Sequence, residues 1–167
     1  QKEANFSQQN LNAVDAILIA SDLRVSTAIN SITLDGSALP VKQLKGTEPL
    51  ESLNLSGKSL GPVSGIVIAK LIEFNTALTF MDISGTSIGG YYDFEKNEIV
   101  YTPEGPAAIA KALEVNTALT SVNLLKNDMG TEAATELVAV FRQHKTLKTL
   151  CGIKPDQTEA DLSHKGL

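Results

Sequence analysis

The chain has few of the residues that build catalytic or metal-binding centres. Its 167 residues include one cysteine, two histidines and no tryptophan. Cys151 alone excludes an internal disulfide framework and favours a reducing compartment, so we expect a cytoplasmic location. Neither His144 nor His164 lies near a Cys, Asp or Ser in a catalytic pattern, and C-x-x-C and H-E-x-x-H spacings are absent. We therefore expect no enzymatic activity, no catalytic residue, no metal and no cofactor.

Charge and aromatic content exclude two further classes of partner. The formal net charge is −5, and aromatic residues make up 5% of the chain. A nucleic-acid surface needs clustered Lys and Arg, usually with aromatic rings on which bases stack. No uninterrupted apolar run exceeds five residues, which is too short to cross a bilayer. We therefore expect neither a nucleic-acid partner nor a membrane partner.

What the chain does have is one spacing of apolar residues that occurs four times, at relative positions 1, 4, 6 and 11. Positions 4 and 6 alternate as in a strand, so their side chains lie on one face. A single unit of this kind cannot bury its apolar face, so neighbouring units must stack. The four stretches are Ile29-Ile32-Leu34-Leu39, Leu50-Leu53-Leu55-Leu60, Leu78-Met81-Ile83-Ile88 and Leu119-Val122-Leu124-Met129. We expect Leu53, Leu55, Ile83 and Leu124 to be buried in one column.

The intervals between these stretches leave room for helices. Leu50 and Leu78 are 28 residues apart, which accommodates a strand, a loop and a helix of three to four turns. Asn12 is predicted to cap a helix that reaches Val25, and the hydroxyl of Thr102 is predicted to cap another. His144 is predicted to end a helix, where an imidazole favours the helix dipole. The interval of 21 residues before Leu50 predicts only a short turn.

The helix exits also repeat, as Phe-Asn-Thr-Ala-Leu at 74–78 and Val-Asn-Thr-Ala-Leu at 115–119. Together with the strand spacing, this resembles the ribonuclease-inhibitor-like class of leucine-rich repeats, which also occurs in NOD-like receptors and Ran GTPase-activating proteins. The resemblance covers residues 4–150 and implies an α/β solenoid: a right-handed horseshoe with a parallel concave sheet and outer helices. It departs at relative position 9, where the family has Asn. This chain has Ser37, Lys58, Thr86 and only once Asn127.

The two ends of the chain resemble each other. Residues 1–11 and 157–167 are identical at five of eleven aligned positions. We interpret this as a super-repeat, although two degenerate copies of the ordinary repeat would also explain it. We therefore expect residues 1–167 to form a single leucine-rich-repeat array that is a segment of a longer one. Because neither end shows a polar cap, we also expect head-to-tail self-association.

In the predicted horseshoe, relative position 5 would form a row on the concave face. Asn54, Asp82 and Asn123 occupy this row and would make it a hydrogen-bonding, mildly acidic surface. Phe80 and Leu125 flank it and would be exposed apolar anchors for a partner. The alternative is that these residues are merely solvated parts of the strands.

The third interval is 13 residues longer than 28, and its inserted part holds four of the eight aromatic residues of the chain. Two alternating stretches around a polar turn predict an inserted hairpin at 90–102. Its rings belong to Tyr91, Tyr92, Phe94 and Tyr101. Insertions in repeat arrays often lie on the binding face, so these four are candidate partner-binding residues. Alternatively, the rings pack back on the protein.

From these features we expect a non-enzymatic protein–protein interaction module whose partner cannot be identified. The concave face and the aromatic insertion would make the contact. Two other functions stay open. One is a structural segment of a long array that stacks end to end in a large assembly. The other is regulation of a GTPase, which rests only on the analogy with Ran GTPase-activating proteins.

Overall fold

The computed structural model describes residues 2–153 and 157–159, which form an α/β fold. The described part contains eight short strands and five helices. In chain order, the elements are β1 (Glu3–Asn5), α1 (Ala13–Val25), β2 (Ser31–Leu34), β3 (Ser37–Pro40), α2 (Val41–Lys45), β4 (Ser52–Asn54), α3 (Pro62–Ile72), β5 (Phe80–Asp82), β6 (Gly90–Asp93), β7 (Glu98–Tyr101), α4 (Glu104–Val115), β8 (Ser121–Asn123) and α5 (Thr131–Gln143).

The strands form three separate small sheets. In the first sheet β1 lies parallel to β2, and β2 is antiparallel to β3. The second sheet has the order β4-β5-β8 and is entirely parallel. The third is the antiparallel pair of β6 and β7. Two of the three sheets therefore contain antiparallel pairs.

This arrangement shows that the predicted horseshoe with one parallel concave sheet is wrong. The chain turns back sharply at Asp35 and Gly36, which both have positive φ, of 50° and 85°. An Asp-Gly pair with both residues in this region makes the two-residue turn of a β-hairpin. As a result β3 pairs with the edge of β2 that a continuous sheet would offer to β4, and β4 starts a new sheet. The fold is α/β, but it is not a solenoid.

The helices form a layer against the strands, and the core lies between the two layers. Helix α3 packs against both α1 and α4, and α4 packs against α5. Leu53, Met81 and Val122 are paired in register across the second sheet and are buried. The predicted burial of Leu53, Leu55, Ile83 and Leu124 is confirmed, since each is at most 6% exposed. They do not form one column, because Leu53 is in register with Met81 and Val122 and not with Ile83 and Leu124.

Two helix starts test the predicted caps. Asn12 caps α1 as predicted: its side chain accepts from the N–H of Asp15, whose carboxylate accepts from the N–H of Asn12. The cap predicted at Thr102 is wrong. Pro103 holds the N-cap position of α4, and the buried Thr102 hydroxyl has no partner among the described residues. The backbone of Thr102 still belongs to the hairpin, since its N–H donates to the carbonyl of Gly89 at 2.8 Å.

Helix α3 receives its cap from a distant part of the chain. Its own N-cap residue is Gly61, which has no side chain to offer. Asp35, in the turn between β2 and β3, accepts from the N–H of Gly61 at 2.9 Å and from the N–H and hydroxyl of Ser64 at 3.0 and 2.7 Å. The turn that interrupts the sheet therefore also fixes the start of α3.

We call a strand together with the helix that follows it a unit. At the end of the helix, one side chain of each unit bonds to the helix end of the unit before it. After α3, the Asn75 amide donates to the carbonyls of Gln43 and Leu44 at 2.8 and 3.0 Å, at the end of α2. Its side-chain oxygen accepts from the N–H groups of Ala77 and Leu78. The side chain thus links the preceding helix end to the chain that leads into the next strand.

The same link recurs after α4. The Asn116 amide donates to the carbonyls of Ile72 and Asn75 at 2.7 and 3.0 Å, and its oxygen accepts from the N–H groups of Ala118 and Leu119. We call the set of Lys45, Asn75, Asn116 and His144 the exit ladder.

Lys45 and His144 take the same role with different chemistry. The Lys45 ammonium donates to the carbonyls of Leu23 and Ser26 at 2.8 and 2.7 Å, at the end of α1. His144 bonds the carbonyl of Asn116 through Nε2 at 2.8 Å. The exit ladder therefore links the ends of successive helices from α1 to α5.

The echo of the two chain ends cannot be followed here, because residues 160–167 lie outside the described residues, as does His164. In the described part, no helix combines the length and the apolar content needed to cross a membrane.

Candidate functional site

The hairpin of β6 and β7 carries the most exposed aromatic surface of the described chain. Tyr92 is paired with Ile99, and Gly90 with Tyr101, so Tyr92, Ile99 and Tyr101 lie on one face. Phe94 follows in the turn and contacts Tyr92. Exposure is 87% for Phe94, 57% for Tyr101, 44% for Tyr92 and 40% for Ile99. We call these four residues the hairpin face.

The tip of the hairpin is held in one conformation by its own side chains. The rings of Tyr92 and Phe94 meet edge to face, with centroids 5.0 Å apart. The Tyr92 hydroxyl donates to the Asn97 side chain at 2.6 Å. The Asp93 carboxylate accepts from the N–H groups of Glu95 and Lys96 at 2.9 and 3.1 Å. These contacts preorganise the exposed rings, which lowers the entropy lost on binding.

The base of the hairpin is packed closely against the rest of the protein. A Cβ atom added at Gly90 would lie 3.0 Å from the carbonyl oxygen of Asp128, and one added at Gly89 would lie 2.8 Å from that of Asn127. The Tyr101 ring lies against Gly130, at the start of α5. The hairpin is therefore fixed at its base while its outer face is open.

Tyr91 lies on the other face of the hairpin. It lines a groove together with Leu11, Pro62 and Val63, from the segments that begin α1 and α3. It is still 51% exposed. The four predicted aromatic residues are thus divided: Tyr92, Phe94 and Tyr101 share a face, and Tyr91 points away from them.

The predicted polar row does lie along the second sheet, where Asn54, Asp82 and Asn123 are paired in register. All three side chains accept from the backbone N–H two residues further on; for Asn123 this is the N–H of Leu125, at 3.3 Å. Asn54 Oδ1 accepts from the N–H and hydroxyl of Ser56 at 2.8 and 2.7 Å. Asp82 Oδ1 accepts in the same way from Ser84 at 2.9 and 2.6 Å. These oxygens stabilise the turn after each strand. The repeated Asn/Asp-x-Ser pattern was a sequence signal for this role.

Asn123 is not accessible to a partner. It is 3% exposed, because Cys151 pairs with it and Gly152 lies over its side chain. Its amide donates to the second carboxylate oxygen of Asp82 at 3.2 Å. The row is therefore a structural network with one exposed member, Asn54.

The predicted apolar anchors beside this row are not brought together. Phe80 and Leu125 are both half-buried. The register places Phe80 beside Ser121, four residues before Leu125 in the chain. The two side chains do not form a joint exposed patch.

Sequence reasoning missed Ile99, which completes the hairpin face. Its alternation with Tyr101 was the available signal. It also missed a second set of exposed apolar residues at the helix exits: Val25, Phe74 and Val115. Within residues 2–153 and 157–159, no group of three or more His, Cys, Asp or Glu is placed to hold a metal ion.

Comparison with known proteins adds little to this geometry. No family model and no curated protein matches the chain. Among the solved structures that match is "Leiomodin-1 Actin-Binding Site 2 (ABS2)", with a TM-score of 0.46 and 15% sequence identity. The match covers 92% of this chain and 71% of that chain. A likeness at this level carries no argument about function.

These findings correct the predicted family. The resemblance to ribonuclease-inhibitor-like leucine-rich repeats rested on a spacing that no family model recognises in this chain. The separate, mixed sheets agree with this correction.

Proposed function

We propose that this chain is a non-enzymatic protein-interaction module whose main contact surface is the hairpin face. The observation that carries this proposal is the exposure of four large apolar side chains on one side of an ordered hairpin. Tyrosine and phenylalanine supply much of the binding energy in protein interfaces, because they bury a large area with few rotatable bonds.

The surroundings of the hairpin face support a protein partner over a small ligand. The face is open to solvent, whereas small-molecule sites are concave and enclose most of their ligand. Polar groups of Asp93, Lys96 and Asn97 surround the rings at the tip. An apolar centre with a polar rim is the usual anatomy of a protein interface. The partner should therefore present an apolar patch of matching size.

The other expected functions lose their basis with the repeat family. Regulation of a GTPase rested only on the analogy with Ran GTPase-activating proteins. A structural role in a stacked array depended on the continuous solenoid, which is not formed. Head-to-tail self-association stays a prediction, because residues 160–167 of the echoed ends lie outside the described residues.

The test is a variant that removes the apolar face and keeps the hairpin. Phe94→Ser and Ile99→Thr together leave the Tyr92–Asn97 bond and the strand pairing intact. The matched control is Val25→Ser with Val115→Ser, which removes exposed apolar surface at the helix exits. We expect the first variant to lose about a hundredfold in affinity for a partner isolated with the natural chain, and the control to bind normally.

Affinity should be measured by calorimetry with the purified partner. Equal binding by the hairpin variant and the natural chain would refute the proposal. Equal losses in both variants would mean that the contact is non-specific hydrophobic adsorption.

A further inference from the structure

His144 occupies the position in the exit ladder that asparagine holds in the two preceding units. Its Nδ1 accepts from the N–H of Thr146 at 3.2 Å and from the N–H of Leu147 at 2.9 Å. Asn75 and Asn116 use a side-chain oxygen for the same two N–H groups of their own units. An imidazole therefore replaces an amide in the last unit.

This replacement makes the last unit sensitive to protons. Nε2 bonds a carbonyl oxygen and must carry a hydrogen. Nδ1 accepts from two N–H groups and must be free of one, so the docked ring is neutral. A proton added at Nδ1 would point an N–H at two other N–H groups. Histidine side chains ordinarily gain a proton in the mildly acidic range, whereas asparagine never does.

The residues that His144 holds lead into the segment that covers β8. We call residues 145–152 the covering segment. Val122 N–H donates to the carbonyl of Thr149 at 3.1 Å, and Leu124 N–H donates to that of Leu150 at 2.9 Å. Cys151 pairs with Asn123, which is thereby buried. Loss of the His144 contacts would remove one anchor at the start of this segment and leave the bonds of the Thr146 hydroxyl to the carbonyl of Leu119 at 3.2 Å and of the Lys148 N–H to that of Thr120 at 2.7 Å.

A protonated ring has acidic side chains close by. Glu114 of α4 and Glu136 of α5 line the same groove as His144. Arg142 and Lys145, on the same stretch of chain as His144, are exposed. The two carboxylates would attract an imidazolium that has left the backbone N–H groups.

We propose that His144 is a pH-sensitive switch for the covering segment. The neutral ring holds the segment on β8, and protonation releases it and uncovers Asn123 and the edge of the second sheet. The folded contact needs the neutral ring, while the free ring accepts a proton. A proton on the ring therefore removes the contact. This inference does not rest on the proposed function.

The test is amide hydrogen exchange on the full chain at about pH 5 and about pH 8, with rates divided by the intrinsic exchange rates. We expect the protection of Leu147, Val122 and Leu124 to fall about tenfold at the lower pH. Leu119 is the internal control, because Asn116 holds its N–H at 2.9 Å. Its protection should not change. Unchanged protection at Leu147, or an equal fall at Leu119, would overturn the proposal.

The matched variant is His144→Asn, which restores the side chain found at the other two exits. It should keep the covering segment protected at both pH values. A pH-dependent fall in this variant equal to that of the natural chain would overturn the proposal. The nitrogen chemical shifts of the His144 ring give an independent readout on the unmodified chain. At about pH 8, Nε2 should be protonated and Nδ1 free, and the opposite tautomer would also overturn the proposal.

Discussion

The first and second sheets begin from the same spacing of apolar residues and end in different topologies. In the second sheet, β4 leads to its parallel neighbour β5 through α3, and β5 leads to its parallel neighbour β8 through the β6–β7 hairpin and α4. In the first sheet, β2 turns back on itself at Asp35-Gly36, and the helix that follows has only five residues. The apolar spacing thus fixes which residues are buried in both regions. The two turn residues decide whether the sheet continues.

The largest expected effect tests whether both regions share one core. Leu55 follows β4 and Leu39 lies in β3, and they are 2% and 0% exposed. Replacing either by Ala should lower the free energy of unfolding by about 2–5 kcal/mol, through lost burial and a cavity. Chemical denaturation gives both values. A loss at Leu39 below about 0.5 kcal/mol, with a full loss at Leu55, would show that the hairpin region is not part of the cooperative core.

The next effect concerns the exit ladder beside the parallel sheet. Asn116→Ala should cost about 1–3 kcal/mol, because buried carbonyls and N–H groups on both sides of Asn116 lose their partner. The neighbouring Thr117→Ala is the control, since Thr117 is exposed. Denaturation curves that coincide for the two variants would contradict the structural role of the amide.

A smaller effect is expected at the turn that separates the two sheets. Asp35→Ala removes the three hydrogen bonds that cap α3 and should cost about 1–2 kcal/mol. Asp35→Asn keeps an acceptor oxygen and should lose less. If the thermal melting temperature of the Ala variant equals that of the natural chain, Asp35 does not couple the first sheet to α3.

The smallest effect is expected at Lys45. Its side chain donates to backbone carbonyls at the end of α1, as the Asn116 side chain does at the end of α3. Lys45→Met should cost about 0.5–1 kcal/mol, since the side chain is only half-buried and water can replace its bonds.

Desolvation by burial lowers the pKa of Lys45 below its ordinary value. The folded chain therefore binds this proton less tightly than the unfolded chain. Stability relative to the Met variant should rise slightly as the pH passes upward through the interval between the two pKa values. The neutral amine retains two N–H groups, enough for both carbonyls. A fall in relative stability over that interval, measured by urea denaturation, would contradict this assignment.

The sequence predicted the burial pattern well, because it depends on side chains that are close in the chain. Leu53 in β4 and Leu55 directly after it are two positions apart, and the Asn12 cap depends on residues three positions apart. The Asp35-Gly36 pair is a hairpin signal that the sequence analysis missed. The repeat spacing that includes Leu34 and Leu39 instead predicts a continuous sheet, and that prediction is wrong.

Other features depend on contacts between distant residues and could not be read from the chain. The partners of Asn75 and Asn116 lie about thirty to forty positions earlier. The identity of Lys45 as a ladder member follows only from where α2 places its ammonium. At the candidate site, the aromatic alternation of the insertion indicated the exposed rings, but the burial of Asn123 follows from a later segment that returns over it.

The exit ladder also has a direction. Each link places the donor in the later unit and the backbone carbonyl in the earlier one: Asn75 reaches back to α2, Asn116 to α3 and His144 to the exit of α4. The backbone carbonyls at a helix end therefore lack these hydrogen-bond donors until the following unit has been synthesised. Removing residues from the carboxyl end would leave bare carbonyls on the last remaining helix, while removing them from the amino end would leave only an unused donor. Truncations of equal length should therefore be more damaging at the carboxyl end, and assembly should proceed in the order of synthesis.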